Sequence, residues 1–248
     1  MIQFESLACY QDVTHFVTTR VGGVSLPPYD SLNLGFGARD NPERVLENRK
    51  RLADSINVPL GSFAVAKQVH GDRIAVVTES EKGRGAFNYE TALDATDGMI
   101  TNIPGICLMV LLADCTPILL YDPVQRVVAA VHAGWKGTAK QIGRKVIEAM
   151  SDSYGCRPED ITAGIGPSIG PCCYEVGPEV ISQFGADLVD DRNHLDLWEA
   201  NRRQLLEAGV RSIEVAGICT KCNADRFFSE RHTPGTGRIG AGIVLAGG

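Results

Sequence analysis

The chain has 248 residues, 44% hydrophobic and 22% charged, and a formal net charge of −6. This composition excludes an intrinsically disordered chain, and the acidic balance lacks the basic footprint of a nucleic-acid or anionic-membrane binder, so a small-molecule partner is expected. No run of about 18 apolar residues occurs, and MIQFESLACY has no basic start ahead of an apolar stretch; neither a membrane span nor a signal peptide is expected, and the expected compartment is the cytoplasm.

No proline-rich linker, low-complexity segment or fixed-period repeat divides the chain, so residues 1–248 read as a single domain. Thr14–Arg20 (THFVTTR) is β-branched and predicts a strand running into the long Gly/Pro/Ser loop VGGVSLPPYDSLNLGFG, of a length usually tied to function. Asn41-Pro42 opens a helix to about Ser55, with proline at a tolerated first-turn position. FAVAKQVH and RIAVVTE read as a pair of strands around His70-Gly71-Asp72. GICLMVLLADC, PILLYDP and RVVAAVHAG read as buried strands, because their apolar runs are nearly continuous.

From Gly137 to about Tyr154, the spacing of Ile142, Val146, Ile147 and Met150 gives a helical stripe. DITAGIGPSIG is a further strand and turn, LDLWEANRRQLLEAG an amphipathic helix stopped by Gly209, and IEVAGICT and AGIVLAG complete a mixed α/β reading. Gly235, Gly237 and Gly240 spell G-x-G-x-x-G. Only eight residues follow Gly240, which leaves no room for the helix, second strand and acidic residue of a dinucleotide site.

Three polar residues each close an apolar, strand-like segment ahead of a turn: His70 in KQVHGDR, Cys115 in LLADCTP and His132 in AAVHAGW. Strand ends at one sheet edge are where α/β proteins commonly assemble sites. Two imidazoles and one thiolate form the three-ligand set of a catalytic zinc, which keeps a fourth position for water and lowers that water's pKa to about 7. Taken separately, the same residues are two buried histidines and an inert thiol. A metal-free alternative makes Cys115 a nucleophile beside a histidine base, with the Asp114 carboxylate orienting an imidazole.

The eight cysteines are Cys9, Cys107, Cys115, Cys156, Cys172, Cys173, Cys219 and Cys222. In a reducing compartment they are free thiols or metal ligands rather than disulfides. Cys219-Thr220-Lys221-Cys222 is a C-x-x-C, but no second pair follows at zinc-ribbon spacing and Cys172-Cys173 lacks ribbon geometry, so Cys219 and Cys222 read as incidental thiols near a turn. Arg20 stands just before Gly22-Gly23, where backbone N–H groups and a guanidinium can hold a phosphate; Arg231 and Arg238 are placed similarly in the glycine-rich tail.

The segments TTRVGGVS, YDSLNLG, QVHGD, ADCTPILLYDP, VHAGWKGTA, GPSIGPCCYEVG, LDLWEANRRQL and FFSERHTPGTGR occur in this order from about residue 14 to 245. By them the chain resembles the laccase-domain, YfiH-like family, whose members have been named polyphenol oxidases, purine nucleoside phosphorylases and peptidoglycan editing factors. The resemblance implies a single α/β domain with a mixed β-sheet sandwich core flanked by helices. It implies a zinc held by His70, Cys115 and His132, which are then also the catalytic residues, and substrate contacts from Arg20, Asn33 and Arg238.

The implied activity is phosphorolysis of adenosine, inosine and S-methyl-5'-thioadenosine, with adenosine deamination at the same centre; the implied partners are a purine nucleoside and phosphate. A copper polyphenol oxidase is the weaker implication, because five histidines are too few for a multinuclear copper enzyme. Cysteine hydrolysis or editing of cell-wall precursors is the other alternative. Lys136 departs from the common HAGWRG and loses a planar fork, Arg231-His232 replaces a frequent Arg-Arg, and FGARDN follows SLNLG in place of the usual sequence.

Overall fold

The computed structural model describes residues 1–247; Gly248, the last residue of the expected domain, lies outside the described residues. In chain order the elements are α1 (Glu5–Ala8), β1 (Val13–Val17), α2 (Pro42–Ser55), β2 (Phe63–Val65), β3 (Ile74–Val76), β4 (Gly98–Thr101), β5 (Cys107–Leu112), β6 (Thr116–Asp122), β7 (Val127–Ala133), α3 (Trp135–Ala139), α4 (Ile142–Tyr154), β8 (Thr162–Ile165), α5 (Pro178–Ile181), α6 (Leu197–Glu207), β9 (Ser212–Val215) and β10 (Ile239–Leu245). Among the described residues the strands form two sheets, a four-stranded one ordered β1-β10-β5-β2 and a six-stranded one ordered β3-β4-β7-β6-β8-β9. Both are mixed: β2–β5, β3–β4 and β8–β9 are parallel, and the other pairs antiparallel.

Period-two alternation sorts the side chains into layers. In β7, Val128 and Ala130 face the other sheet, packing with Leu108 and Val110 of β5 and Ile243 of β10. Their neighbours Val127, Ala129 and Val131 face Val146, Ile147 and Met150 of α4. On the far side of the four-stranded sheet, Phe16, Phe63, Val65 and Met109 are covered by Leu52 and Ala53 of α2. Helix, sheet, sheet and helix therefore stack in that order, which is the expected α/β class with a mixed β-sandwich core flanked by helices. No helix among the described residues is long and apolar enough to cross a membrane.

The helix expected from Asn41-Pro42 forms, and the structure shows what starts it. The Asn41 side chain caps α2 by accepting from the Glu43 N–H at 2.8 Å, with Pro42 in the first turn. Asp122 accepts the Val124 and Gln125 amides and closes the β6–β7 turn.

Other expectations are corrected. The strands around His70 do not pair with each other: β2 lies in the four-stranded sheet beside β5 and β3 in the six-stranded sheet beside β4, so His70 sits in the segment that crosses between sheets, with φ of 58°. The single helix expected from Gly137 to Tyr154 is broken at Gln141, which adopts φ of 64°. Gln204 of α6 makes that break tolerable: its side chain donates to the Thr138 carbonyl at 2.7 Å and accepts the Gly143 N–H at 3.2 Å. The short elements α1, α5 and β4 have no counterpart in the sequence reading.

Candidate metal centre and active site

Two chain crossings and the end of β7 converge at one end of the sandwich. The β2–β3 segment carries His70. The β5–β6 turn, Ala113-Asp114-Cys115, carries the thiol across between sheets. His132, the penultimate residue of β7, shares the inter-sheet face with Val128 and Ala130. One ligand-capable atom from each of His70, Cys115 and His132 lies within 4.8 Å of the others. The two imidazoles meet edge to face, with ring centroids 4.9 Å apart. His70 is exposed, Cys115 half-buried and His132 buried, so the cluster opens to solvent on the His70 side.

A residue the sequence reading missed sets this arrangement. Asp97, fully buried just ahead of β4, bonds His132 Nδ1 through Oδ1 at 2.9 Å. The same carboxylate accepts the backbone N–H groups of Val69 (3.2 Å), His70 (3.0 Å) and Gly71 (2.7 Å). One side chain thus orients one candidate ligand and clamps the loop bearing another, leaving His132 Nε2 as the nitrogen that faces Cys115 and is available to a metal. Burial pushes the Asp97 carboxyl up, and the bonds from His132, Gly71 and Val69 outweigh it, so its pKa falls below the ordinary value. Sequence distance hid this role: Asp97 stands in an unremarked ATDG.

Asp114, the expected orienting carboxylate, does something else. It takes φ of 81°, and its oxygens accept from the Thr220 hydroxyl (2.6 Å) and the Arg231 N–H (2.8 Å), so it anchors the β9–β10 segment and touches no imidazole.

Electrostatics couple the thiol to the imidazole. Burial acts to raise the Cys115 pKa, but the charge and hydrogen bond of His132, with those of His70, overcome it and bring the thiol down to about 6. Burial acts to lower His132, yet the Cys115 thiolate and Asp97 raise it to about 9. In the metal-free protein the pair is therefore a thiolate beside an imidazolium between those limits.

Glycines give the backbone room here. A Cβ on Gly134 would lie 3.1 Å from both Cys115 Sγ and His70 Cδ2, and one on Gly137 would lie 2.8 Å from the Gly71 carbonyl oxygen. Gln68 fixes the base of the His70 loop by a two-way bond to Leu111, whose N–H it accepts and whose carbonyl it binds, both at 2.8 Å.

The cluster lines a cavity of about 390 Å³ whose wall also includes the largely apolar Ala66, Leu111, Ala113 and Tyr89 and the charged Glu230 and Arg238. Arg238 pairs with Glu230 at 3.1 Å and is the expected substrate residue that faces the cavity. Asn33 is buried behind the wall, where its Oδ1 accepts the N–H groups of Gly35 (3.0 Å) and Arg238 (2.9 Å).

Arg20 does not line the cavity. Its guanidinium donates to the Asp30 carbonyl (2.7 Å), the Ala224 carbonyl (2.8 Å) and Asp30 Oδ1 (3.0 Å), and stacks over Phe228 at 4.7 Å. The guanidinium of Arg231 is likewise engaged, donating to the Glu175 carbonyl and covering the Tyr174 ring. Trp135 packs in a side cluster with Ile169 and Tyr174, away from the lining residues.

The donor set suits a borderline-soft divalent cation: two imidazole nitrogens and one thiolate within a metal ion's reach of one another, with a carboxylate fixing one imidazole.

Residues 14–246 match the family described as multi-copper polyphenol oxidoreductase laccase. The chain is 42% identical over 235 residues to the purine nucleoside phosphorylase YlmD of Bacillus subtilis, covering 90% of this chain and 84% of that one. Among solved structures it resembles YlmD from Geobacillus stearothermophilus, with a TM-score of 0.91 at 37% identity, covering 96% of this chain and 93% of that one. It also resembles a hypothetical protein YfiH from Bacillus licheniformis, with a TM-score of 0.90 at 40% identity, covering 94% and 92%.

Proposed function

Because this chain belongs to the multi-copper polyphenol oxidoreductase laccase family, with a relative named purine nucleoside phosphorylase, we propose that it is a zinc-dependent purine nucleoside phosphorylase of the cytoplasm. The observation that carries the metal half of this reading is the convergence of His70, Cys115 and His132 on one cavity, with Asp97 locking two of them. Zinc fits the donors better than a multinuclear copper centre: of the five histidines, only His70 and His132 are among the residues lining the cavity. His70, Cys115 and His132 would hold the ion, which would supply Lewis-acid polarisation when bound.

The chain's own residues do the positioning. Ala66, Leu111, Ala113 and Tyr89 offer the purine an apolar face, and Glu230 can accept from sugar hydroxyls. Arg238, held from behind by Asn33, is placed to bind phosphate and align its oxygen with the anomeric carbon. That oxygen forms the new bond to carbon, the glycosidic C–N bond breaks, and its electron pair leaves with the purine, which is then protonated. Adenosine, inosine and S-methyl-5'-thioadenosine are the expected substrates. Deamination of adenosine is a second reaction of the same cavity: water adds at carbon 6 and ammonia leaves. Arg20 serves by holding the loop that carries Asp30 against the Ala224 segment.

The test combines metal content with turnover. The parent should carry zinc and release free base from inosine or adenosine only with phosphate; His70→Ala, Cys115→Ala and His132→Ala should each lose the triad zinc and the activity. No base at any phosphate concentration would overturn the phosphorylase reading, and undiminished zinc in all three variants would overturn the triad. The Cys115 thiolate beside His132 keeps a second reading, cysteine hydrolysis: Cys115→Ser that abolishes turnover with full metal content would favour it.

A further inference from the structure

The four cysteines that do not resemble a zinc ribbon in sequence come together in space. Cys172 and Cys173 lie in the turn after β8, and Cys219 and Cys222 in the turn after β9. β8 and β9 are parallel neighbours, and their pairing continues past the strand ends as a bridge between Ser168 and Cys219. The missing second pair of the C-x-x-C therefore precedes it by about fifty residues, supplied by the adjacent strand rather than by a nearby repeat. Reading Cys219 and Cys222 as incidental thiols does not survive this placement.

Cys222 Sγ lies 3.6 Å from Cys172 Sγ and 3.4 Å from Cys173 Sγ, and all four sulfurs lie within 4.8 Å of one another. All four are free thiols, at contact rather than bonding distance. A tetrahedral zinc with Zn–S bonds of about 2.3 Å needs sulfurs about 3.8 Å apart, so modest side-chain adjustment closes the figure. Cys219, the buried member, already accepts the Gly170 N–H on its sulfur at 3.3 Å, the kind of outer contact that supports a thiolate ligand. None of the four lines the cavity described above.

We propose that Cys172, Cys173, Cys219 and Cys222 form a second metal site, a four-thiolate structural site for zinc, separate from the His70–Cys115–His132 cluster. Its place in the fold gives it a purpose. Both cysteine-bearing turns hold Asp114, the residue next to Cys115: the Ile169 N–H donates to the Asp114 carbonyl at 2.9 Å, and the Thr220 hydroxyl to its carboxylate at 2.6 Å. Thr220 lies inside the C-x-x-C itself. A metal across the two turns pins both supports of the β5–β6 crossing and, beyond Cys222, the start of the segment that leads to Glu230 and Arg238.

The proposal is independent of the enzymatic reading, and its test reads metal rather than turnover. The full chain carrying His70→Ala and His132→Ala, purified under reducing conditions, should retain one zinc per chain. X-ray absorption should show four sulfur neighbours at about 2.3 Å and no nitrogen, and cobalt replacement should give a thiolate-to-metal charge-transfer band. Zinc-free protein with no such band after cobalt addition, fewer than three sulfur neighbours, or a disulfide among these cysteines would overturn it. Should that double variant fail to fold, Cys222→Ser in the otherwise unaltered chain decides: Cys222 is exposed, and zinc per chain should fall by about one, whereas unchanged content would refute the site.

Discussion

Asp97→Asn is the substitution most sharply constrained by the geometry, because it keeps size and shape and alters only hydrogen-bond polarity. Oδ1 faces the His70 N–H and His132 Nδ1, and Oδ2 faces the Val69 and Gly71 N–H groups. Whichever way the new amide turns, its NH2 meets two of these. Turned one way, the Val69 and Gly71 amides lose their acceptor and the His70 loop loosens. Turned the other way, the His70 N–H loses its acceptor and His132 must accept on Nδ1, which keeps its proton on Nε2, the nitrogen a metal would need.

Two lost bonds to a charged acceptor, at about 1.5–3 kcal/mol each, give an expected destabilisation of about 3 kcal/mol and, for a chain of this length, a fall of roughly 6–12 °C in Tm. Metal affinity at the triad should drop about 10- to 100-fold, as for other supports of metal-bound histidine. Thermal unfolding and a chelator competition read the two quantities, with Asp114→Asn as the control: it should lose stability through Thr220 and Arg231 while disturbing triad affinity less. Asp97→Asn with parental Tm and affinity within twofold of the parent would refute the assignment of Asp97 as the clamp.

In metal-stripped protein, alkylation of Cys115 by iodoacetamide should rise with pH through a midpoint near 6, because the thiolate form is favoured above that value; His132→Ala should move the midpoint upward, and a parental midpoint at the ordinary thiol value would refute the thiolate–imidazolium pair. Between about pH 6 and 9 that pair holds one proton on His132, so metal uptake should release about one proton, measurable by titration in buffers of different ionisation heat. Gly134→Ala should weaken triad metal binding by about 1–3 kcal/mol, since its methyl group would press on Cys115 and His70; unchanged affinity would show that the strand end yields freely. Arg20→Ala should cost about 2–4 kcal/mol of stability, read by denaturant unfolding, and leave the KM for phosphate near the parental value, whereas a tenfold KM rise at unchanged stability would return Arg20 to the substrate site.

The chemistry-bearing residue types were legible, and their supports were not. His132 ends an apolar run and Cys115 ends another, and strand length and turn position are local properties that periodicity reports, whereas their meeting at one end of the sandwich is set by how the two sheets pack. His70 is the exception. It closes no strand: its segment leaves the four-stranded sheet after Val65 and re-enters pairing in the other sheet at Ile74, a choice of partner made by tertiary packing. Asp97, Gln68 and Gln204 act on residues tens of positions away, and nothing local marks a carboxylate that will accept amides from residues 69–71. The cysteine cluster failed for the same reason, because a ligand pair supplied by a parallel neighbour strand has no fixed spacing.

The two-sheet architecture also explains why the triad lies where it does. A sandwich closed by crossing segments has a weak edge at each crossing, where backbone leaves one ladder before it joins the other and its polar groups need other partners. Here Gln68 supplies a side-chain substitute for the missing ladder at Leu111, Asp97 supplies acceptors for residues 69–71, and Asp114 ties the β5–β6 crossing to the β9–β10 one. A metal at His70, Cys115 and His132 would join the two crossings and β7 in a single bond network, so its binding free energy adds to the stability of the sheet–sheet contact. Chelation should therefore lower the Tm of the parent by more than it lowers that of the His70→Ala variant, in which one crossing is already released. Equal sensitivity of the two proteins to chelator would mean that the crossings are held by Asp97, Gln68 and Asp114 alone.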